Sequence, residues 1–126
     1  MPLTTTVLGA YPKPDYVPIR DWFTMLGGQV SASATRDYSE ALLNPDPATE
    51  ALFARAAAEV IADQVACGID IVTDGEVRRE NYIHYHCRHL KGIDFNTLTH
   101  KVLRDGAYET DLPTVRGDIK PHPGHF

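Results

Sequence analysis

The stretch DPATEALFARAAAEVIADQVACGIDIVTDGE, residues 46–76, decides how this chain is read. It opens on Asp46-Pro47, a side chain able to cap a helix followed by the residue whose missing N–H costs nothing in a first turn. Leu52, Phe53, Ala56, Ala57, Val60, Ile61, Gln64 and Val65 then recur at three- and four-residue spacing. That periodicity predicts an amphipathic helix with the stripe turned to a core. Gly68 stands where a left-handed cap would stop the helix. Ile69-Asp70-Ile71-Val72-Thr73 follows as a buried strand, and Asp74-Gly75-Glu76 lies just past its carboxyl end.

Toward the N-terminus, residues 4–8 form a β-branched, apolar run that leads into Gly9-Ala10 and the proline-rich Tyr11-Pro12-Lys13-Pro14. A short strand entering a loop fits this pattern better than a helix. Strand, helix and strand in that order make a βαβ unit, which requires a parallel pair. Between them, residues 21–26 are compatible with a helical turn, and residues 38–43 with a short helix that Asn44-Pro45 ends. Toward the C-terminus, a helix is expected over residues 78–90, with Ile83, Cys87 and Leu90 on one face and Gly92 at its end. Asp105-Gly106 between two alternating segments predicts a hairpin. Residues 115–119 read as the start of a third barrel strand, and residues 121–126 as an unstructured tail.

At 126 residues the chain suffices for one modest domain. It is 43% hydrophobic and 23% charged with a net charge of -5, which argues against disorder and lacks the basic stripe of a nucleic-acid binder. No nucleic acid is expected as a partner. The N-terminus has no basic region ahead of an apolar core, and no stretch is apolar over the ~20 residues that span a bilayer. No membrane association is expected. Cys67 and Cys87 make no disulfide framework, so the expected setting is a reducing, cytoplasmic one.

Glu76 is the leading site residue. Loops at the carboxyl ends of parallel strands converge around clefts, and Gly75 lets the backbone turn so that a carboxylate can aim inward. Such a carboxylate suits an ammonium group; the alternative is an ion pair with Arg78 or Arg79. Gly9 and Ala10, at the end of the first strand, could offer backbone amides to a carboxylate or phosphate, or be ordinary loop residues. His84, His86, Cys87 and His89 crowd one short segment, but on a helix His84 and His86 point about 200° apart. No more than two of these groups can share an ion, whereas a closed zinc site takes four. There is no nucleophile elbow, no phosphate-binding glycine loop and no convincing Ser/His/Asp arrangement, so no catalytic residue is assigned.

Residues 68–85, GIDIVTDGEVRRENYIHY, resemble the catalytic domain of the cobalamin-independent methionine synthase family, with its hydrophobic strand, Gly-Glu pair and Arg-Asn-Asp-Met-Val-x-Tyr run. Arg79, Ile83 and Tyr85 fall in register, as do His89-Leu90 and Gly92. Thr5-Thr6-Val7-Leu8-Gly9-Ala10-Tyr11-Pro12 resembles the family's opening Thr-Thr-x-x-Gly-Ser-Phe/Tyr-Pro, and Pro113-x-Val115-x-Gly117-Asp118-Ile119 its next strand. The resemblance implies an α/β fold: the first two or three β/α units of a TIM (β/α)8 barrel over residues 1–120, with a β-hairpin excursion. It implies transfer of a methyl group from a methylated folate to homocysteine, whose thiolate is activated by zinc. It maps the substrate's amino group to Glu76 and its carboxylate to Gly9 and Ala10.

The departures are specific. Ala10 stands in place of the family's serine, and Glu80-Asn81 in place of its Asn-Asp. The family's zinc ligands, a His-x-Cys motif and later Glu and Cys positions, fall downstream of the matched region, so the chain alone is expected to be inactive. Alternatives are a relative acting on another thiol, or an amino-acid-binding module or remnant that oligomerises or is completed by another chain.

Overall fold

The structure, a computed structural model, describes residues 3–19, 34–106 and 108–123. The expected helical turn at 21–26 lies outside them. The elements run α1 (Ala34–Ala41), α2 (Pro47–Ala66), α3 (Tyr82–Cys87), β1 (Leu90–Leu103) and β2 (Tyr108–Pro121). They divide into two compact units, Met1–Ile19 with Asn44–Arg79 and Arg20–Leu43 with Glu80–Phe126.

The first unit is built on α2. Asp46 caps it as expected, its carboxylate accepting from the Thr49 amide at 2.7 Å, with Pro47 in the first turn. The helix gives way at Cys67, directly before Gly68. Phe53, Ala56, Val60 and Gln64 form its buried face, joined in the core by Val17, Ile19 and Val77. The stripe is narrower than the spacing suggested, since Ile61 and Val65 are exposed. Tyr16 ties the loop after the first segment to the helix: its hydroxyl donates to Glu59 at 2.5 Å, and the Arg55 guanidinium lies 4.2 Å over its ring.

The expected βαβ unit is present in reduced form. Thr6 and Ile71 make an isolated parallel bridge on either side of α2, carried by the Ile71 amide donating to the Thr5 carbonyl at 3.0 Å. Side chains take over where a longer ladder would run. Asp70 accepts from the Thr5 amide and hydroxyl at 2.8 and 2.9 Å, and the Thr6 hydroxyl donates to the Ile71 carbonyl at 2.8 Å. These bonds hold the Asp70 carboxyl below its usual range, the Thr5 amide contributing most. With no third strand beside this pair among the described residues, Ile71 and Val72 stay exposed.

In the second unit, β1 and β2 pair antiparallel as the only sheet among the described residues. The hairpin at Asp105-Gly106 forms as expected, with Leu103 opposite Tyr108. Three expectations are corrected here. The helix over 78–90 is confined to α3 because Asn81 caps it, its side chain accepting from the Ile83 and His84 amides at 2.8 and 3.0 Å. Gly92 does not end that helix; it sits in β1 at φ 88, where the register shifts, and a Cβ there would collide with the Asp118 carbonyl. Residues 115–119 are not a third parallel strand but part of β2, with Val115 opposite Ile93. The strand extends to Pro121, and the His122 amide donates to the His89 carbonyl at 2.9 Å.

Candidate functional site

The turn after Thr73 is pinned residue by residue. Gln64, buried on α2, uses its side-chain amide as a strand would use its backbone: Nε2 donates to the Thr73 carbonyl at 2.9 Å and Oε1 accepts the Thr73 amide at 3.0 Å. Nε2 also reaches the Val60 carbonyl at 3.1 Å. Beyond Thr73, its hydroxyl accepts the Gly75 amide at 3.2 Å and the Asp74 carboxylate accepts the Glu76 amide at 3.0 Å. Gly75 has φ 64, and a Cβ there would lie 2.6 Å from Val60 Cγ1 and 3.1 Å from Tyr11 Cβ. Only glycine satisfies both the dihedral and the space. Glu76 follows at φ 56, a left-handed conformation that costs a residue bearing a Cβ roughly 1–2 kcal/mol.

That turn meets the end of the first segment. The Tyr11 amide donates to the Gly75 carbonyl at 2.9 Å, so the residue following Gly9-Ala10 is bonded to the residue preceding Glu76. The sequence-predicted positions thus lie on two adjoining loops of one unit. Gly9 and Ala10 are exposed, and among the described residues neither amide has a backbone partner. Glu76 is half-buried and its Oε1 lies 3.1 Å from Nη1 of Arg79, while the Arg79 amide donates to the Glu76 carbonyl at 3.0 Å. Of the two arginines weighed as its partners, Arg79 is the one engaged; Arg78 instead forks onto Glu50 at 2.8 and 2.7 Å.

From sequence, Gln64 reads only as one position of the helical stripe, and Arg79 only as one of two alternative ion-pair partners for Glu76 and as a residue in register with the family run. The signal for Gln64 was a polar residue inside an apolar stripe, which is a place where a backbone edge needs satisfying.

The histidine-rich segment belongs to the second unit and has structural employment there. His84 is buried with Nδ1 2.9 Å from the Thr35 hydroxyl. Burial, and secondarily the Arg88 charge, push its pKa down to about 4. His86 and His89 both stand edge-on to Tyr85, at 5.4 and 5.9 Å between centroids. Arg88 pairs with Glu80 at 2.8 Å, both buried, and lies 4.4 Å from the Phe95 ring and 4.9 Å from that of Tyr38. Zinc does not fit these residues: among the described residues no group of three His, Cys, Asp or Glu side chains could hold a metal ion. Nor is any described helix long and apolar enough to cross a membrane.

An α/β unit in which an acidic turn and an exposed loop are bonded together beyond adjacent parallel segments places the chain in the α/β class. Within that class the family follows from comparison. The family model described as cobalamin-independent synthase, catalytic domain, matches residues 3–124, and the chain belongs to this family. It is 30% identical over 118 residues to a methionine synthase of Sulfolobus acidocaldarius, covering 94% of this chain and 30% of that protein. It is 30% identical over 93 residues to the methionine synthase of Saccharolobus solfataricus, covering 74% and 24%. Among solved structures it is similar to a B12-independent methionine synthase from a Shewanella species in complex with selenomethionine, with TM-score 0.62 and 26% identity over 94% of this chain and 30% of that one. The chain therefore spans under a third of the length of these relatives.

Proposed function

We propose that this chain carries the amino-acid-recognition portion of a methionine-synthase-type methyltransferase, which moves a methyl group from 5-methyltetrahydrofolate to the sulfur of homocysteine in the cytoplasm. Family membership supports the reaction class. The observation that carries the site is the Tyr11 to Gly75 backbone bond of 2.9 Å, because it sets the Gly9-Ala10 loop beside the Glu76 turn. The chemistry is a division of labour across one amino acid. Glu76 accepts a charge-assisted hydrogen bond from the ligand's ammonium, and the amides of Gly9 and Ala10 donate to its carboxylate.

Zinc would supply thiolate activation in this reaction, and the described residues do not form its site. A polypeptide of these 126 residues is accordingly expected to bind the amino acid and not to turn it over. Calorimetric titration with L-homocysteine and L-methionine, with and without zinc, tests the binding. Glu76→Gln is expected to weaken it by roughly 1–3 kcal/mol, the worth of a hydrogen bond to a charged group. Unchanged affinity would remove Glu76 from the site, and zinc-dependent methionine formation by the purified polypeptide would overturn the expectation of inactivity.

Ala10 favours one second reading. Where the family resemblance has a serine this chain has no hydroxyl, which suits a relative acting on a different small thiol. Tighter binding of another thiol than of homocysteine in the same titration would select it.

A further inference from the structure

The Glu76 carboxylate is approached from one side by its own turn. Arg79 touches Glu76 twice: its amide closes the turn on the Glu76 carbonyl at 3.0 Å, and its guanidinium lies 3.1 Å from Oε1. The two side chains are only 25% and 22% exposed. By contrast, the Arg55–Glu59 pair on the outer face of α2 is 60% and 49% exposed. An exposed pair contributes little, because water screens it and both side chains lose freedom to hold it. A three-quarters-buried one meets less screening, and it also spares the turn an unpaired carboxylate. Glu76 occupies a left-handed conformation that most residues with a Cβ avoid, and such outliers persist where the surroundings over-determine them. Here the bonds of Glu76 to Asp74 and Arg79, with the Tyr11 amide holding the neighbouring Gly75 carbonyl, do so.

We propose that Arg79 is a positioning residue for the amino-group subsite: its guanidinium holds Glu76 by Oε1, which leaves Oε2 directed to the ammonium of the ligand. This rests on the reading of Glu76 as the ammonium acceptor. A carboxylate has lone-pair sites for both partners at once, so the arginine and the ligand are accommodated together instead of exchanging. The ligand class is narrowed accordingly, to amino acids with a free, protonated α-amine.

The test compares L-methionine with its des-amino counterpart, 4-(methylthio)butanoate, by calorimetric titration of the full chain. In the unaltered chain, methionine is expected to bind more tightly than the des-amino acid. Glu76→Gln should abolish that preference. Arg79→Met should reduce it by about fivefold to tenfold, in the range of a charged hydrogen bond weakened rather than lost, while affinity for the des-amino acid stays unchanged. Arg79→Lys should restore most of the preference. A purely structural arginine would weaken both ligands in parallel, and thermal melts of each variant register any loss of fold. An Arg79→Met chain that binds methionine as tightly as before, or more tightly, would overturn the proposal, the latter marking Arg79 as a competitor for Glu76. Absence of any preference in the unaltered chain, or its survival in Glu76→Gln, would instead overturn the ammonium reading and the positioning role with it.

Discussion

Gln64 shows what one side chain can contribute to a site it never touches. It faces the strand end from the buried side of α2 and satisfies both polar groups of Thr73. Those bonds fix where the turn toward Glu76 begins. Gln64→Leu keeps the volume and removes the pairing, so two backbone groups lose their partners in a half-buried setting. The expected cost is roughly 2–6 kcal/mol, at about 1–3 kcal/mol for each of the two unsatisfied groups, read as a lower midpoint in urea denaturation. A change under about 0.5 kcal/mol, the range of ordinary surface substitutions, would mean that water replaces the amide. The sequence made the position visible and its purpose invisible: period placed Gln64 on the buried face, but hydrogen-bond partners nine residues on depend on where the strand returns. Glu76 was legible as a candidate because Gly75 precedes it. Its left-handed backbone was not, since it follows from bonds to Asp74 and Arg79 that only the folded turn reveals; its partner was legible as Arg78 or Arg79, and the fold selects Arg79.

At the scale of elements, agreement follows how local the signal is. α2 was readable end to end because its cap, its first-turn proline and its stop are all written within the segment. The β1–β2 hairpin was readable at its tip for the same reason. The extent of its strands was not, because residues 115–119 read equally as a strand of a parallel sheet until their partner is known to be β1. α3 was misjudged in length, since Asn81 competes for the helix start only when its side chain can reach the Ile83 and His84 amides.

The contact between α1 and α3 carries a pH dependence. His84 reaches Thr35 across that contact at 2.9 Å, and its pKa is pushed from 6.5 to about 4 by burial first and the Arg88 charge second. The folded form therefore takes up the proton less readily than the unfolded chain. Stability from this group is complete above about pH 6.5 and is lost as pH falls toward 4. The loss is on the order of 1–3 kcal/mol by linkage. His84→Gln keeps a polar partner for Thr35 without a titrating ring, so its stability should vary less than the parent's between those limits. Parallel pH profiles in denaturant melts would show that other groups set the dependence.

The molecule as a whole leaves apolar surface where a parallel sheet would bury it. Leu3 and Leu8 are 90% and 99% exposed and Ile71 is 58% exposed, all of them in or beside the segments joined by the Thr6–Ile71 bridge. Parallel strands are ordinarily covered on both faces, and open strand edges invite pairing with another chain. In the relatives the matched region is under a third of the protein, so the corresponding segments there have far more chain available to cover them. A polypeptide of these 126 residues should consequently self-associate, with light scattering reporting a mass that rises with concentration above the 14.0 kDa of one chain. The cause is separable from simple instability. Leu8→Ser with Ile71→Thr removes exposed apolar area while sparing the buried face of α2, so it should lower the association without lowering the denaturation midpoint. If the parent polypeptide runs as a single 14.0 kDa species at all concentrations, the bridged segments are sufficient by themselves, and Glu76 can be studied on a monomer.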